Sequence, residues 1–249
     1  MAEVVQSLWI GPRLPLRQVL SIRSFLQNGH EYHLYAYDPI EGVPAGVTVR
    51  DAGAVIPREA IFCYQNGFGK GSYSAFSNVF RYQLIFNQGG WWVDTDVVCL
   101  RPFDFEADYV FALEYEQDFT AWTASCVFKS PAQSDLLKHC LDVCKAKDKM
   151  KVEWGEIGPH LLDQSVKQFG LARYALSPRV FNPVNWFEVE QLVSPDFDLS
   201  RLNDSYAVHL WDHMWTHVDL ETADSGSPGS LYGRLKGRYM AADVQGSGR

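Results

Sequence analysis

The segment Gly89-Gly90-Trp91-Trp92-Val93-Asp94-Thr95-Asp96-Val97-Val98 sets two carboxylates one residue apart inside an apolar run. Trp91, Trp92 and Val93 before them, and Val97, Val98 and Leu100 after them, read as buried strand. The acids are therefore expected inside the molecule rather than on a solvated turn. Residues i and i+2 of an extended strand share a face, which predicts that Asp94 and Asp96 aim at one point. Two carboxylates so placed raise each other's pKa unless a cation sits between them. Their oxygens suit a hard divalent ion, Mg²⁺ or Mn²⁺, which keeps open positions for phosphate oxygens.

The flanking pattern predicts an alternating α/β chain. Residues 4–10 form a short apolar strand that stops at Gly11-Pro12. Helical spacing of Leu16, Val19, Leu20, Ile22, Phe25 and Leu26 predicts a helix over 16–27, closed by Asn28-Gly29. Strands follow at 32–37 and 47–50, then a Gly-rich loop at 57–72 and an amphipathic helix at 74–88 that ends on Gly89-Gly90. Further strands are expected at 110–113 and 123–128, with the acidic run 114–118 as a loop between them. Helices are expected at 133–146, 157–169 and 231–240, and a late strand at 206–210. No repeat or linker divides the chain, so residues 1–240 read as one domain and 241–249 as a flexible tail.

Composition narrows the function classes. With 249 residues, 47% hydrophobic and 14% aromatic, the chain can build a substantial core. A net charge of -8 argues against a nucleic-acid binder and suits a protein that recruits metal to hold an anionic ligand. The same charge disfavours docking on anionic membranes. No apolar stretch approaches a membrane span, and the first residues lack a signal-peptide pattern, so a cytoplasmic protein is expected unless an anchor has been trimmed. Cys140 and Cys144 lie one helical turn apart, but no second pair with zinc-ligand spacing follows, and all five cysteines are expected as free thiols.

The run Phe76-Ser77-Asn78-Val79-Phe80-Arg81-Tyr82, the Asp segment, and Leu100-Arg101-Pro102-Phe103 together resemble the DXD-containing sugar transferases. These are glycosyltransferase family 32 and its relatives, including capsule-type enzymes and clostridial glucosylating toxins. Shorter islands keep the family order: Leu8-Trp9-Ile10-Gly11, Gly158-Pro159-His160-Leu161-Leu162 and Val208-His209-Leu210-Trp211. The resemblance implies a GT-A-like fold with a mixed sheet and helical additions. It also implies a nucleotide-sugar donor, a divalent metal and retention of anomeric configuration.

Under that resemblance Asp96 holds the metal, with Asp94 beside it facing ribose or sugar hydroxyls, and His209 completes the metal shell; otherwise His209 is a structural residue. Arg81 is placed on sugar or phosphates, or else in an ion pair with a site acid. Ser77 lies one turn earlier on the same face. Asn78 stands where relatives usually carry Asp, which alters the expected donor preference, since Asn donates as well as accepts. Trp9 ends the first strand, where open α/β sheets bind ligands, and with Ile10 and Tyr37 it is a candidate for contact with uracil. Asp163 or Gln164, at the start of a helix whose N–H groups suit an anion or hydroxyl, could lie under the reacting carbon. Trp211 and Trp215, or the loop 57–72, could close as a lid to exclude water.

The expected function is metal-dependent transfer of a hexose or N-acetylhexosamine, from a UDP-linked donor, to a carbohydrate, lipid-linked, small-molecule or protein acceptor. Two other classes compete. The Asp94-Thr95-Asp96 segment also matches the opening motif of haloacid-dehalogenase-like phosphatases, with Asp94 as nucleophile, although that motif belongs on a first strand and needs a later acidic pair. A sugar-binding module without turnover is the third.

Overall fold

The computed structural model describes residues 3–218, 220 and 227–241. The amino-terminal half is a parallel β-α-β-β unit: β1 (Val5–Trp9), α1 (Leu16–Gln27), β2 (Tyr32–Ala36) and β3 (Val47–Asp51). Helix α1 buries Leu20, Ile22 and Phe25 and stops where Gly29 takes φ 85°, a left-handed turn that glycine adopts without strain.

Helix α2 (Ser74–Gln88) then feeds β4 (Gly90–Val93), which lies parallel to β1. The Gly-Gly break between them is required by space as well as by conformation. Gly89 has φ 71°, and a Cβ there would sit 2.7 Å from the amide nitrogen of Ala132. Strand β4 is central, so its alternating side chains enter opposite cores. Trp91 packs with Phe103 at 5.0 Å, while Trp92 faces Phe80 at 6.5 Å on the other side. A fully buried Trp contributes on the order of 3–5 kcal/mol, so this pair anchors both layers.

The second half adds β6 (Val110–Tyr115), β7 (Ala121–Ser130) and β8 (Ala175–Leu176). The resulting mixed sheet has seven strands in the order β3-β2-β1-β4-β7-β6-β8, with β7 antiparallel to both β4 and β6. Helices α3 (Asp135–Ala146) and α4 (Pro159–Gln168) share the α2 side. A separate ribbon pairs β5 (Val97–Cys99) with β9 (Ala207–His209), setting Val97 opposite His209. Behind it a third core, including Val98, Val208, Trp215 and Tyr232, collects the short helix α6 (Asp212–His217) and the longer α7 (Leu231–Met240), while the short α5 (Pro178–Phe181) packs Phe181 against Trp91 and Phe103.

Helices over 16–27, 74–88 and 231–240 occur with the expected ends. The acidic run differs: Glu114 and Tyr115 continue β6, because they pair with Trp122 and Ala121, and the turn is confined to 116–120. Asp94 and Asp96 also differ. Strand β4 ends at Val93, and Val97 N–H bonds to Asp94 C=O at 3.1 Å, so both acids sit in a turn between β4 and β5. All five cysteines are free, and the Cys140 thiol donates to Ser165 Oγ rather than to any metal-like cluster. No described helix is long and apolar enough to cross a membrane. Of the expected tail 241–249, all but Ala241 lies outside the described residues.

Candidate active site

The Asp turn is built from the sheet outward. Asp94 follows the last residue of β4, its N–H bonded to Cys126 C=O of β7 at 2.8 Å. Its carboxylate receives Trp92 Nε1–H at 2.7 Å and pairs with Arg81 at 3.1 Å. Arg81 is buried, with its guanidinium 4.9 Å from the centre of the Trp92 ring. Its three nitrogens are all engaged: Nε donates to Ser77 C=O, Nη1 to Ser125 C=O and Asp94, and Nη2 to Ser77 Oγ while lying within ion-pair distance of Asp94. Arg81 and Ser77 therefore hold Asp94, which is the ion-pair alternative left open by the sequence. Burial pushes the Asp94 carboxyl up against the pull of Arg81, and the charge on Asp96 adds to the rise.

Asp96 meets different partners. The β5–β9 pairing brings His209 across the turn, and His209 Nε2 lies 3.2 Å from Asp96 Oδ2. Asp212 N–H donates to the same oxygen at 2.9 Å. That amide is aimed by Trp211, a bulky residue at φ 56°, where side chains are strained. The Trp211 indole is pinned by Nε1–H to Val184 C=O at 2.8 Å and lies 3.8 Å, centre to centre, from the His209 ring. Burial opposes the charge on Asp96, but His209 and the Asp212 N–H outweigh it and hold the carboxyl below its ordinary value. Burial likewise opposes protonation of His209, and Asp96 with the nearby Cys126 thiol overcomes it, lifting the imidazole well above 6.5.

One ligand atom from each of Asp94, Asp96 and His209 lies within 4.8 Å of the others. His209 Nδ1 is buried without a hydrogen-bond partner. Two carboxylates and an imidazole form a suitable donor set for Mn²⁺ or Mg²⁺.

This cluster opens into a cavity of about 820 Å³. Trp9 and Ile10 reach it from the carboxyl end of β1, and Ser77, Asn78 and Arg81 from α2. Trp9 Nε1–H bonds to Arg13 C=O at 3.1 Å, which fixes the plane of its ring. Asn78 is 5% exposed, with Oδ1 3.4 Å from Ser125 Oγ. Gly158 explains its own motif here, because a Cβ at 158 would lie 2.5 Å from Asn78 Nδ2. The glycine lets α4 approach α2.

Other expected site residues lie elsewhere. Asp163 is 2% exposed and satisfied within the fold: Thr123 N–H and Oγ1–H donate to one oxygen, at 3.0 and 3.1 Å, and Lys167 Nζ reaches the other at 2.6 Å. Gln164 is exposed and does not line the cavity. The first free amide of that helix is also used, His160 N–H bonding to Gly155 C=O at 3.2 Å. Tyr37 points away: its hydroxyl donates to Ile56 C=O at 2.8 Å and its ring packs on Phe76. Trp215 is fully buried, with Nε1–H on Leu210 C=O, so it is core rather than lid. The loop 57–72 does border the opening. Phe68 stacks on His217 at 4.5 Å, and Trp154 stacks on His213 at 4.6 Å, so three chain segments meet at the mouth.

Two cavity residues escape the sequence reading. Glu114 is half-buried on β6, and burial pushes its carboxyl up to about 7, with His209 opposing and Glu116 and Asp94 adding to the shift. An acid ending the apolar run 110–113 was the available signal. Gln18, from the first turn of α1, is 2% exposed and borders the same cavity. Nothing in its helical spacing marks it. Glu114, Glu116, Asp94, Asp96 and Asp212 lie on the walls, and Arg81 is already committed to Asp94, so the cavity is predominantly acidic.

A parallel half-sheet with acids at the carboxyl edge of its fourth strand, facing a deep cavity, is a GT-A-like arrangement. Comparisons with known proteins agree with that fold. The fold is similar to the solved PaToxG glycosyltransferase, with a TM-score of 0.51 over 69% of this chain and 70% of that one, at 14% identity. Residues 130–239 match the alpha 1,4-glycosyltransferase conserved region, a stretch that contains His209 and Trp211 and begins after the Asp turn. Over 177 residues the chain is 27% identical to mouse (Mus musculus) lactosylceramide 4-alpha-galactosyltransferase, covering 66% of this chain and 46% of that protein. The chain thus spans under half the length of that curated relative.

Proposed function

We propose that this chain transfers a hexose or N-acetylhexosamine from a UDP-linked donor to a hydroxyl of a glycan, lipid-linked or other acceptor, with retention of anomeric configuration. The observation that carries the proposal is the convergence of Asp94, Asp96 and His209 within 4.8 Å at the wall of an otherwise acidic cavity. These three residues would hold Mn²⁺ or Mg²⁺, which supplies charge stabilisation for the departing diphosphate.

The remaining roles fall to this chain's own groups. Trp9 offers an apolar face to the base, next to Ile10. Arg81 fixes the Asp94 carboxylate through a bidentate pair. Trp211 fixes the orientation of His209 and, through its left-handed backbone, the amide that binds Asp96. Asn78 presents an amide able to donate to or accept from sugar hydroxyls. Glu114 and Glu116, on the β6 side of the cavity, suit acceptance of hydrogen bonds from hydroxyl groups. Loop 57–72 closes the mouth with Phe68 and excludes water from the reaction.

The test is a donor screen with Mn²⁺ and Mg²⁺, reading free UDP or GDP and then the anomeric configuration of the product. The name of the galactosyltransferase relative puts UDP-galactose first in the screen. Binding or turnover of a nucleotide sugar that requires metal supports the proposal. No binding or release under any metal, or faster hydrolysis of a simple phosphate ester, overturns it.

A further inference from the structure

His213 and His217 stand one turn apart on α6, so their side chains share a face at the mouth of the cavity. Their Nε2 atoms are 3.3 Å apart. The ring centres are 4.9 Å apart, and the ring planes cross at 66°. A straight N–H···N bond would separate the centres by the nitrogen–nitrogen distance plus a ring radius at each end. The observed separation is shorter, so the two nitrogens are not aimed straight at each other. A shared metal ion asks for that offset, because it sits beside the line joining the nitrogens and bonds each one in its ring plane. Two Zn–N bonds of about 2.0–2.1 Å at a tetrahedral angle set their nitrogens about 3.3–3.4 Å apart. The pair already has that spacing.

The rings are held by their faces. Phe68 stacks on His217 at 4.5 Å, and Trp154 stacks on His213 at 4.6 Å. A covered face leaves the ring edge, which carries the nitrogens, for coordination, and a ring already held loses less rotamer freedom on binding. His217 is exposed, and His213 is half-buried on the cavity wall. Burial, with the charge of a protonated His217 second, holds the His213 imidazole below its ordinary value against the pull of Asp96. The neutral ring so favoured is the form that binds metal. The pair differs in chemistry from the Asp turn. Among the described residues no carboxylate or thiol joins it as a third ligand, so it offers nitrogen alone. Imidazole suits Zn²⁺, Cu²⁺ and Ni²⁺, whereas two carboxylates make the Asp turn a site for Mg²⁺ or Mn²⁺.

We propose that His213 and His217 form a second metal site, at the mouth of the cavity, that takes a transition ion of the Zn²⁺ class. Two imidazoles fill half of a tetrahedral shell, and water completes it. Because Phe68 and Trp154 rest on the ligand rings, an ion there fixes the surfaces on which both segments dock. The site does not depend on the nucleotide-sugar reading.

The experiment titrates the whole chain, untagged and stripped of metal by a chelator, with Zn²⁺ and separately with Mn²⁺. Calorimetry gives the affinities, and proton–nitrogen correlation spectra follow the ring nitrogens of each histidine. Asp96→Asn disables the Asp turn, and His213→Gln or His217→Gln leaves one imidazole of the pair. Zn²⁺ should shift the Nε2 resonances of His213 and His217 in wild type and in Asp96→Asn alike. In the Asp96→Asn background either Gln substitution should weaken Zn²⁺ binding at least about tenfold, the least that losing even an outer partner of a metal ligand costs. Mn²⁺ affinity should be the same in wild type and in the single Gln variants. A pair that is only hydrogen-bonded gives a different result: Zn²⁺ leaves both resonances in place, or the Gln variants bind Zn²⁺ as their parent does. Either outcome overturns the inference, and the spectra of the unsubstituted pair decide it even where a variant folds poorly. Failure to bind any nucleotide sugar would overturn the proposed function and leave this site standing.

Discussion

Asp96, half-buried, and Asp163, buried, are both carboxylates beside a cationic partner, and they differ in what is left over once their neighbours are counted. Asp163 spends its oxygens on Thr123 and Lys167, within the α4–β7 contact, and none of it reaches the cavity. Asp96 accepts from His209 and from the Asp212 amide, yet it stands at the cavity wall beside a second carboxylate and an imidazole with an unpaired nitrogen. Burial and a charged partner therefore do not separate a working acid from a structural one. The direction of the unused valence does.

The largest expected effect tests that distinction at its functional end. Asp96→Asn keeps an acceptor for the Asp212 N–H and removes the charge. Divalent-metal binding should be lost and nucleotide-sugar turnover should fall by about 10³ or more, the scale of several kcal/mol of charge stabilisation. Calorimetry with Mn²⁺ and steady-state release of nucleotide measure both. A variant that binds metal normally would make Asp96 structural like Asp163. Like-charge repulsion between Asp94 and Asp96 alone predicts that removing Asp96 leaves stability intact. The structure predicts some loss instead, because His209 then keeps its buried site without its carboxylate partner.

Glu114 gives the next largest effect, and its sign is opposite to that of a paired acid. Its folded value of about 7 lies above the 4.5 of an unstrained Glu. Between those values the folded state binds more protons than the unfolded state, so stability falls as pH rises through that window. Glu114→Gln removes this loss. It should melt like wild type near pH 4 and be more stable at pH 8, by up to about 3 kcal/mol. Equal denaturant midpoints at pH 8 would mean that Glu114 ionises freely in the folded protein.

Asp163→Ala should be smaller and purely structural. Stability should fall by about 2 kcal/mol, because the Thr123 N–H is left buried without a partner. Turnover per folded molecule should stay within about twofold of wild type, a margin of a few tenths of a kcal/mol. A collapse of turnover with normal melting would return Asp163 to the reacting centre.

These contrasts show how far the sequence reached. Periodic elements were legible almost to the residue, because α1 and α2 each carry a strong apolar stripe ended by a residue with a clear local reason, Gly29 and Gly89. The cluster of Asp94 and Asp96 at one point was legible as well, but by a geometry the molecule does not use. Asp94 and Asp96 converge through a turn and through pairing with a strand more than 100 residues away, and no local pattern encodes that pairing. Asp163 was misplaced because Gly158-Pro159 reads as a helix start open to ligands, whereas the glycine is there for contact with Asn78. Gln18 was invisible, since an amide on a helix shows its unmet oxygen only when its neighbours are known.

Asn78→Asp is the smallest expected effect and the finest test of the boundary between site and scaffold. Asn78 belongs to both: it borders the cavity, and it is clamped by Ser125 Oγ and the backbone at Gly158. Asp would keep the acceptor toward Ser125 and lose both N–H donors. It would also add a charge to a cavity that already holds Asp94 and Glu114. If Asn78 meets the donor sugar, the loss of its donors should change which substituent is tolerated. The ratio of kcat/KM between a UDP-hexose and its N-acetyl form should then shift by about tenfold, the scale of one hydrogen bond made or lost. If Asn78 serves only the α2–α4 contact, the variant should lose stability and keep that ratio. An unchanged ratio with a lower melting temperature would move Asn78 to the structural side, with Asp163.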